Sequence, residues 1–253
     1  MVVSQGEFLD QLARAGDGLK AAAVRSGLDA TVPTCPEWSV RDLLRHVGGV
    51  HRWARVVVAE RRAQRPDREE ARRIRGSWPA DDDGLLAWYE DGLEALLRTL
   101  ESAEPDLACW TFLPAPSGLA FWCRRQAHET AIHWVDAELA AGSAPLDQVE
   151  WAADFAVDGI DEVLAIVRTR FVELRAEPSW SLGIRCTDVD AGWRVRIGAD
   201  PPYVDEVPDV ADCIVSGPAS AVYLMLWNRL RPEDLEIRGD ASVLQKWRET
   251  VAI

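Results

Sequence analysis

The chain changes character beyond Gly142, from long helical periods alone to helices mixed with short alternating runs, and that change restricts it to two kinds of folding unit in succession. Before it, apolar residues recur at helical spacing. Phe8, Leu9, Leu12, Ala15, Leu19 and Ala22 predict a helix over residues 5–26, and the breaker-rich stretch 31–36 separates it from the next. Ser39 reads as an N-cap with Asp42 three residues on, which predicts a second helix from about 39 to 62. After Pro79 the acidic run Asp81, Asp82 and Asp83 opens a third helix on Leu85, Leu86, Trp88, Tyr89, Leu93, Leu96, Leu97 and Leu100, which Pro105 ends. A fourth, over roughly 119–140, follows the Pro- and Gly-rich loop 114–118. The basic stretch 61–75, broken by Asp67, Glu69 and Glu70, reads as a solvated helix end and loop. Four long helices joined by such loops make an antiparallel four-helix bundle the simplest architecture.

Beyond Gly142 one more helix, over 150–170, leads into short runs that alternate apolar and polar residues as strands do: 180–186, 192–197 and 211–216. Asp190, Ala191 and Gly192 form the expected turn between the first two. Gly217 and Pro218 open a further helix, and Gly239 and Asp240 a last short one ending near Trp247. The expected fold class is therefore α+β: a helix bundle over 1–145 and a small α+β domain over 146–253.

Composition removes several classes of function. The net charge of -14 disfavours phosphate backbones and anionic membranes, so neither nucleic acid nor membrane is an expected partner. The first residues lack the basic-then-apolar order of a signal peptide, and no run approaches the roughly 20 apolar residues of a membrane span. A cytoplasmic location is the resulting expectation. Five scattered cysteines, Cys35, Cys109, Cys123, Cys186 and Cys213, contain no CxxC pair and fit neither a disulfide framework nor a thiolate zinc site. For Cys35 as a nucleophile, no neighbouring cation or helix N-terminus is evident to lower its pKa. Most of the 12 tryptophans recur at helical spacing or at segment ends, as core and loop anchors do.

Glu129 and His133 are the candidates for chemistry, the alternative being core histidines that need only a hydrogen bond. Residues i and i+4 stand one above the other on a helix, so this carboxylate and this imidazole point to one place. His128 and His133 are five apart, as are His46 and His51, and neither pair shares a face; the HExxH zinc-protease spacing is missed by one residue. The run 40–53 could deliver a third ligand from a neighbouring helix. A set of His46, Glu129 and His133 would leave an open coordination position, as catalytic zinc sites do. Arg125, four before Glu129, and Asp136, three after His133, could support these ligands or form surface ion pairs instead.

The residues Val32-Pro33-Thr34-Cys35-Pro36-Glu37-Trp38-Ser39-Val40-Arg41-Asp42-Leu43-Leu44-Arg45-His46, with the later His128-Glu129, His133 and Asp136-Ala137-Glu138, resemble the mycothiol-dependent maleylpyruvate isomerase family within the DinB-like metal-binding superfamily. The likeness covers nearly the whole chain, including Ser216-Gly217-Pro218-Ala219, Leu226-Trp227-Asn228-Arg229 and Gly239-Asp240 in a small second domain. It implies His46, Glu129 and His133 as ligands of a divalent metal, usually zinc, and Arg229 as the catalytic-site arginine that handles substrate carboxylate. The position after His133, often Arg in that family, is Trp134 here. It further implies mycothiol as thiol cosubstrate: a thiolate adds to a cis double bond, the resulting single bond rotates, and elimination returns the thiolate and the trans isomer. Related members are expected to transfer the thiol to electrophiles. The alternatives are a noncatalytic ligand-binding or stress-response protein in which metal only staples two helices, and a metal-dependent hydrolase.

Overall fold

The computed structural model describes residues 3–144, 146 and 151–251, in two compact units, the first 3–144 and the second made of the rest. Among the described residues no helix is long and apolar enough to cross a membrane.

The first unit holds the helices α1 (Gln5–Ser26), α2 (Val40–Ala59), α3 (Arg68–Arg75), α4 (Asp82–Ser102) and α5 (Gly118–Ala140), with a hairpin of β1 (Thr31–Val32) and β2 (Cys35–Ser39) between α1 and α2. Side chains fix where the long helices start. Ser4 with Glu7 and Ser39 with Asp42 form capping boxes, the Asp81 carboxylate caps α4, and Ser117 accepts from the Ala120 N–H at 3.1 Å. Each helix then turns its apolar stripe inward: α1 packs on α5 and α4, and α2 packs on α4 and α5. Leu12, Leu19, Leu43, Leu44, Leu85, Leu96, Leu100 and Leu119 are fully buried between them. The helices meet closely because a side chain is missing where another enters. At Gly48 an added Cβ would lie 2.4 Å from the Trp88 ring, and at Gly16 one would lie 2.2 Å from Leu93.

Helix α5 has no polar face. Buried along it are the polar residues Arg125, Gln126, His128, Thr130, Asp136 and Glu138, beside Phe121, Trp122, Ala127, Ala131 and Val135. Buried polar groups require partners, and those of α5 find them on α1, on α2 and along α5 and its end. Glu138 accepts from Arg25 of α1, from Trp134 Nε1 at 3.0 Å and from the Ser143 hydroxyl at 2.9 Å, and Thr130 pairs with His51 Nε2 of α2 at 2.9 Å.

Two elements here depart from the sequence expectation. The stretch expected to be a breaker is the β1–β2 hairpin, with Thr31 opposite Ser39 and Val32 opposite Cys35. The connection that leads into it is tied to the first turn of α2 by the N–H of Val40 to Ala30 O at 2.9 Å and of Arg41 to Leu28 O at 2.8 Å. The stretch expected to be helix end and loop contains α3, and α2 stops at Ala59. Asp67 caps α3, Glu69 and Glu70 sit in its first turn, and Arg72, Arg73 and Arg75 in its last, all favourable to the helix dipole.

The second unit carries α6 (Ala153–Arg170), β3 (Trp180–Cys186), β4 (Gly192–Ile197), β5 (Tyr203–Asp205), β6 (Cys213–Gly217), α7 (Ala219–Leu226), β7 (Glu236–Gly239) and α8 (Ser242–Thr250). Its sheet runs β5-β4-β3-β6-β7, parallel between β3 and β6 and antiparallel elsewhere. The helix α7, buried on nearly every residue, packs on β3, β6 and α6, while α8 packs on β3. Glu150, the expected start of α6, lies outside the described residues.

Candidate metal centre

Two helices and the hairpin bring the predicted trio together. His46 comes from the second turn of α2, and Glu129 and His133 from successive turns of α5. His46 Nε2 lies 3.1 Å from Glu129 Oε1, and His133 Nε2 lies 3.6 Å from that same oxygen. All three donor atoms fall within 4.8 Å of one another, and among the described residues no other trio of His, Cys, Asp or Glu does so. Zinc bonds of about 2.0 to 2.2 Å at tetrahedral angles put neighbouring donors roughly 3.4 Å apart. The two distances to the carboxylate straddle that value, so the chemistry and spacing of the donor set suit a divalent ion.

The surroundings orient these donors and make the site electronegative. His133 Nδ1 is 2.8 Å from Asp136 Oδ2, which turns Nε2 towards Glu129 and His46. Arg125, one turn before Glu129, pairs with Glu129 Oε2 and leaves Oε1 to the imidazoles. Burial works to raise the Glu129 pKa, but the Arg125 guanidinium and the two imidazoles outweigh it and keep the carboxyl well below the usual range. For His133, burial works to lower the pKa, yet Asp136 and Glu129 outweigh it and push the imidazole up to about 9. The negative potential that would hold a proton on His133 is available to a metal ion instead.

Access is partial. The side chains of His46, Glu129 and His133 are 29%, 16% and 12% exposed. Trp38 of β2 forms one wall, its ring 4.9 Å from that of His46 and 6.3 Å from that of His133, nearly parallel to the latter. No periodicity marked Trp38, although it sits in the motif that carried the resemblance.

The other candidates separate from this cluster. His51 is buried in the core, where desolvation lowers its pKa to about 3, and His128 packs edge-on against Phe8. Both are core histidines. Burial raises the thiols of Cys123 and Cys186 to about 12, which removes them as nucleophiles at neutral pH. Arg229 belongs to the second unit, past the end of α7, where it is 8% exposed and donates from Nη1 to Trp227 O at 2.7 Å.

Comparison with known proteins bears on the whole chain. Residues 8–138 match the family profile described as the mycothiol maleylpyruvate isomerase N-terminal domain, and residues 154–246 match the MDMPI C-terminal domain. No curated protein matches the sequence. Crystal structures of the mycothiol-dependent maleylpyruvate isomerase and of a mutant of it share this fold, each with a TM-score of 0.64, 14% identity, and coverage of 94% of this chain and 95% of theirs. The two profiles take in nearly all of both units and the first contains the donor trio, so the chain belongs to the mycothiol maleylpyruvate isomerase family.

Proposed function

We propose that the protein is a zinc-dependent enzyme that activates a low-molecular-weight thiol, mycothiol by family, for cis–trans isomerisation of a maleylpyruvate-like substrate or for transfer of the thiol to an electrophile. The observation that carries this reading is the convergence of two imidazoles and one carboxylate at a partly open wall. Three protein donors leave room for an exogenous ligand, whereas a purely structural zinc would normally take four. A bound dication would lower a thiol pKa from its usual value near 8.5, making thiolate available at neutral pH.

The chain's own residues do the rest. Asp136 fixes the imidazole of His133, Arg125 keeps Glu129 ionised, and the Trp38 indole excludes water from one side while offering sulfur a polarisable face. Elemental analysis of protein prepared without chelator is the first test: one zinc or similar ion per chain is expected, and protein devoid of metal would count strongly against this reading. With metal present, conversion of maleylpyruvate should require added thiol. A product isomeric with the substrate identifies isomerase chemistry, a stable thioether identifies transfer, and turnover without thiol would indicate a hydrolase and overturn the proposal.

Arg229 would handle the substrate carboxylate, a role the resemblance implies and guanidinium geometry suits through a bidentate grip on that group. Lysine at this position keeps the charge and loses the fork. The expected result for Arg229→Lys is a KM for the carboxylate substrate raised about 10-fold, in line with hydrogen bonds to charged groups. Thiol and metal affinity should not change. An unaltered KM would remove Arg229 from the site.

A further inference from the structure

We propose that Thr34, in the turn of the β1–β2 hairpin, is a positioning residue for the metal centre, acting on His133 through Asp136. This rests on the metal reading above. Asp136 is fully buried on α5, and its two oxygens are engaged on opposite sides: Oδ2 lies 2.8 Å from His133 Nδ1, and Oδ1 accepts the hydroxyl of Thr34, 102 residues away in sequence. A buried carboxylate held at both oxygens has one orientation. Because that orientation sets the plane of the His133 ring, the hydroxyl of Thr34 helps decide where Nε2 points.

The hairpin is built to hold this contact. Pro33 restricts the backbone just before Thr34, and Pro36 restricts Cys35 just after it. Val32 is anchored in the core with no exposure. At its other end Ser39, the last residue of β2, caps α2, the helix that bears His46. One short hairpin therefore touches both ligand-bearing helices, through Thr34 to α5 and through Ser39 to α2, and carries Trp38 against both imidazoles between those two contacts.

The experiment compares Thr34→Val, which keeps the shape and removes the hydroxyl, with Thr34→Ser, which keeps the hydroxyl. Zinc affinity is measured by competition with a chromophoric chelator, and the visible spectrum is recorded for the cobalt-substituted proteins. Thermal midpoints of the metal-free proteins report folding separately. Outer-shell changes weaken metal binding about 10- to 100-fold. The expected result for Thr34→Val is a zinc dissociation constant raised about 10-fold with altered cobalt bands, restored to within about 3-fold of wild type in Thr34→Ser. Wild-type affinity in Thr34→Val would overturn the proposal, as would equal loss in both variants, because a hydroxyl that matters must be rescued by serine. Should Thr34→Val fail to fold, Thr34→Ser against Thr34→Ala gives the same comparison. Wild-type protein that binds neither ion would sink the metal reading itself, an outcome distinct from loss confined to the variants.

Discussion

Replacing Glu129 with alanine should empty the metal centre and weaken the bundle together, whereas replacing His46 should do the first with little of the second. Four-ligand zinc sites bind with about 10 to 16 kcal/mol, so a single donor accounts for about 3 kcal/mol and its loss for on the order of 100-fold in affinity. Both variants lose that much. Their difference lies in what the side chain does without metal. Glu129 is the carboxylate between Arg125, which is 7% exposed, and the imidazoles of His46 and His133. Taking one partner out of a buried ion pair costs about 3 kcal/mol or more. At about 2 to 4 °C per kcal/mol for a chain of this size, the metal-free Glu129→Ala protein should melt roughly 6 to 12 °C below the parent. His46 keeps 29% of its side chain exposed, and His46→Ala should shift the midpoint by only a degree or two. Metal content after dialysis and calorimetry of the stripped proteins read the two effects separately. Stoichiometric metal retained by Glu129→Ala would refute the ligand assignment.

How far the sequence revealed this arrangement depended on whether burial left a pattern in it. The helices α1, α2 and α4 were legible because each buries a stripe, with Ser39 and Asp42 marking the start of α2 and Asp81 that of α4, whereas α5, buried all round, was marked by the breaker-rich loop before it. Helix α3 buries no residue, so no apolar period betrays it; only its charge order does. The strands β1, β5 and β7 have two, three and four residues, too short for alternation to emerge, and β5 and β7 are edge strands with no fully buried position. Within the site, the Glu129 and His133 pair followed from helical spacing alone, since both ligands share one element. Its position three after His133 suits Asp136 equally to supporting that imidazole and to a surface ion pair, and its complete burial decides for the first. Thr34 and Trp38 escaped because their roles exist only once the hairpin is folded against α5 and α2. A contact spanning 102 residues has no signature in local periodicity.

Trp122→Ala should be the most destabilising single truncation in the first unit, and it should leave the metal donors in place. Trp122 lies seven residues before Glu129 on α5, and Trp53 lies seven after His46 on α2, two turns along the same helix faces that carry the site. The indole of Trp122 has no exposure and meets Trp53 edge-to-face at 5.2 Å, with Phe112 and Trp110 completing the cluster. Its Nε1 donates to Trp110 O at 3.0 Å, which ties the loop before α5 to the helix. Truncation removes the packing of a large aromatic and leaves a cavity, at a cost of about 3 to 5 kcal/mol, and it strips the Trp110 carbonyl of a donor. Trp122→Phe retains most of the ring and loses only the donor and part of the volume, so roughly half that cost is expected. Chemical denaturation of the metal-free proteins measures both. Under native conditions the zinc affinity of Trp122→Ala should stay within about 3-fold of the parent, because the donors stand two turns, about 10 Å, along each helix from the void. A loss below 1 kcal/mol would mean that the bundle does not depend on this cluster. A large drop in metal affinity would mean instead that the aromatic end of the α2–α5 seam sets the spacing of the ligands at the other.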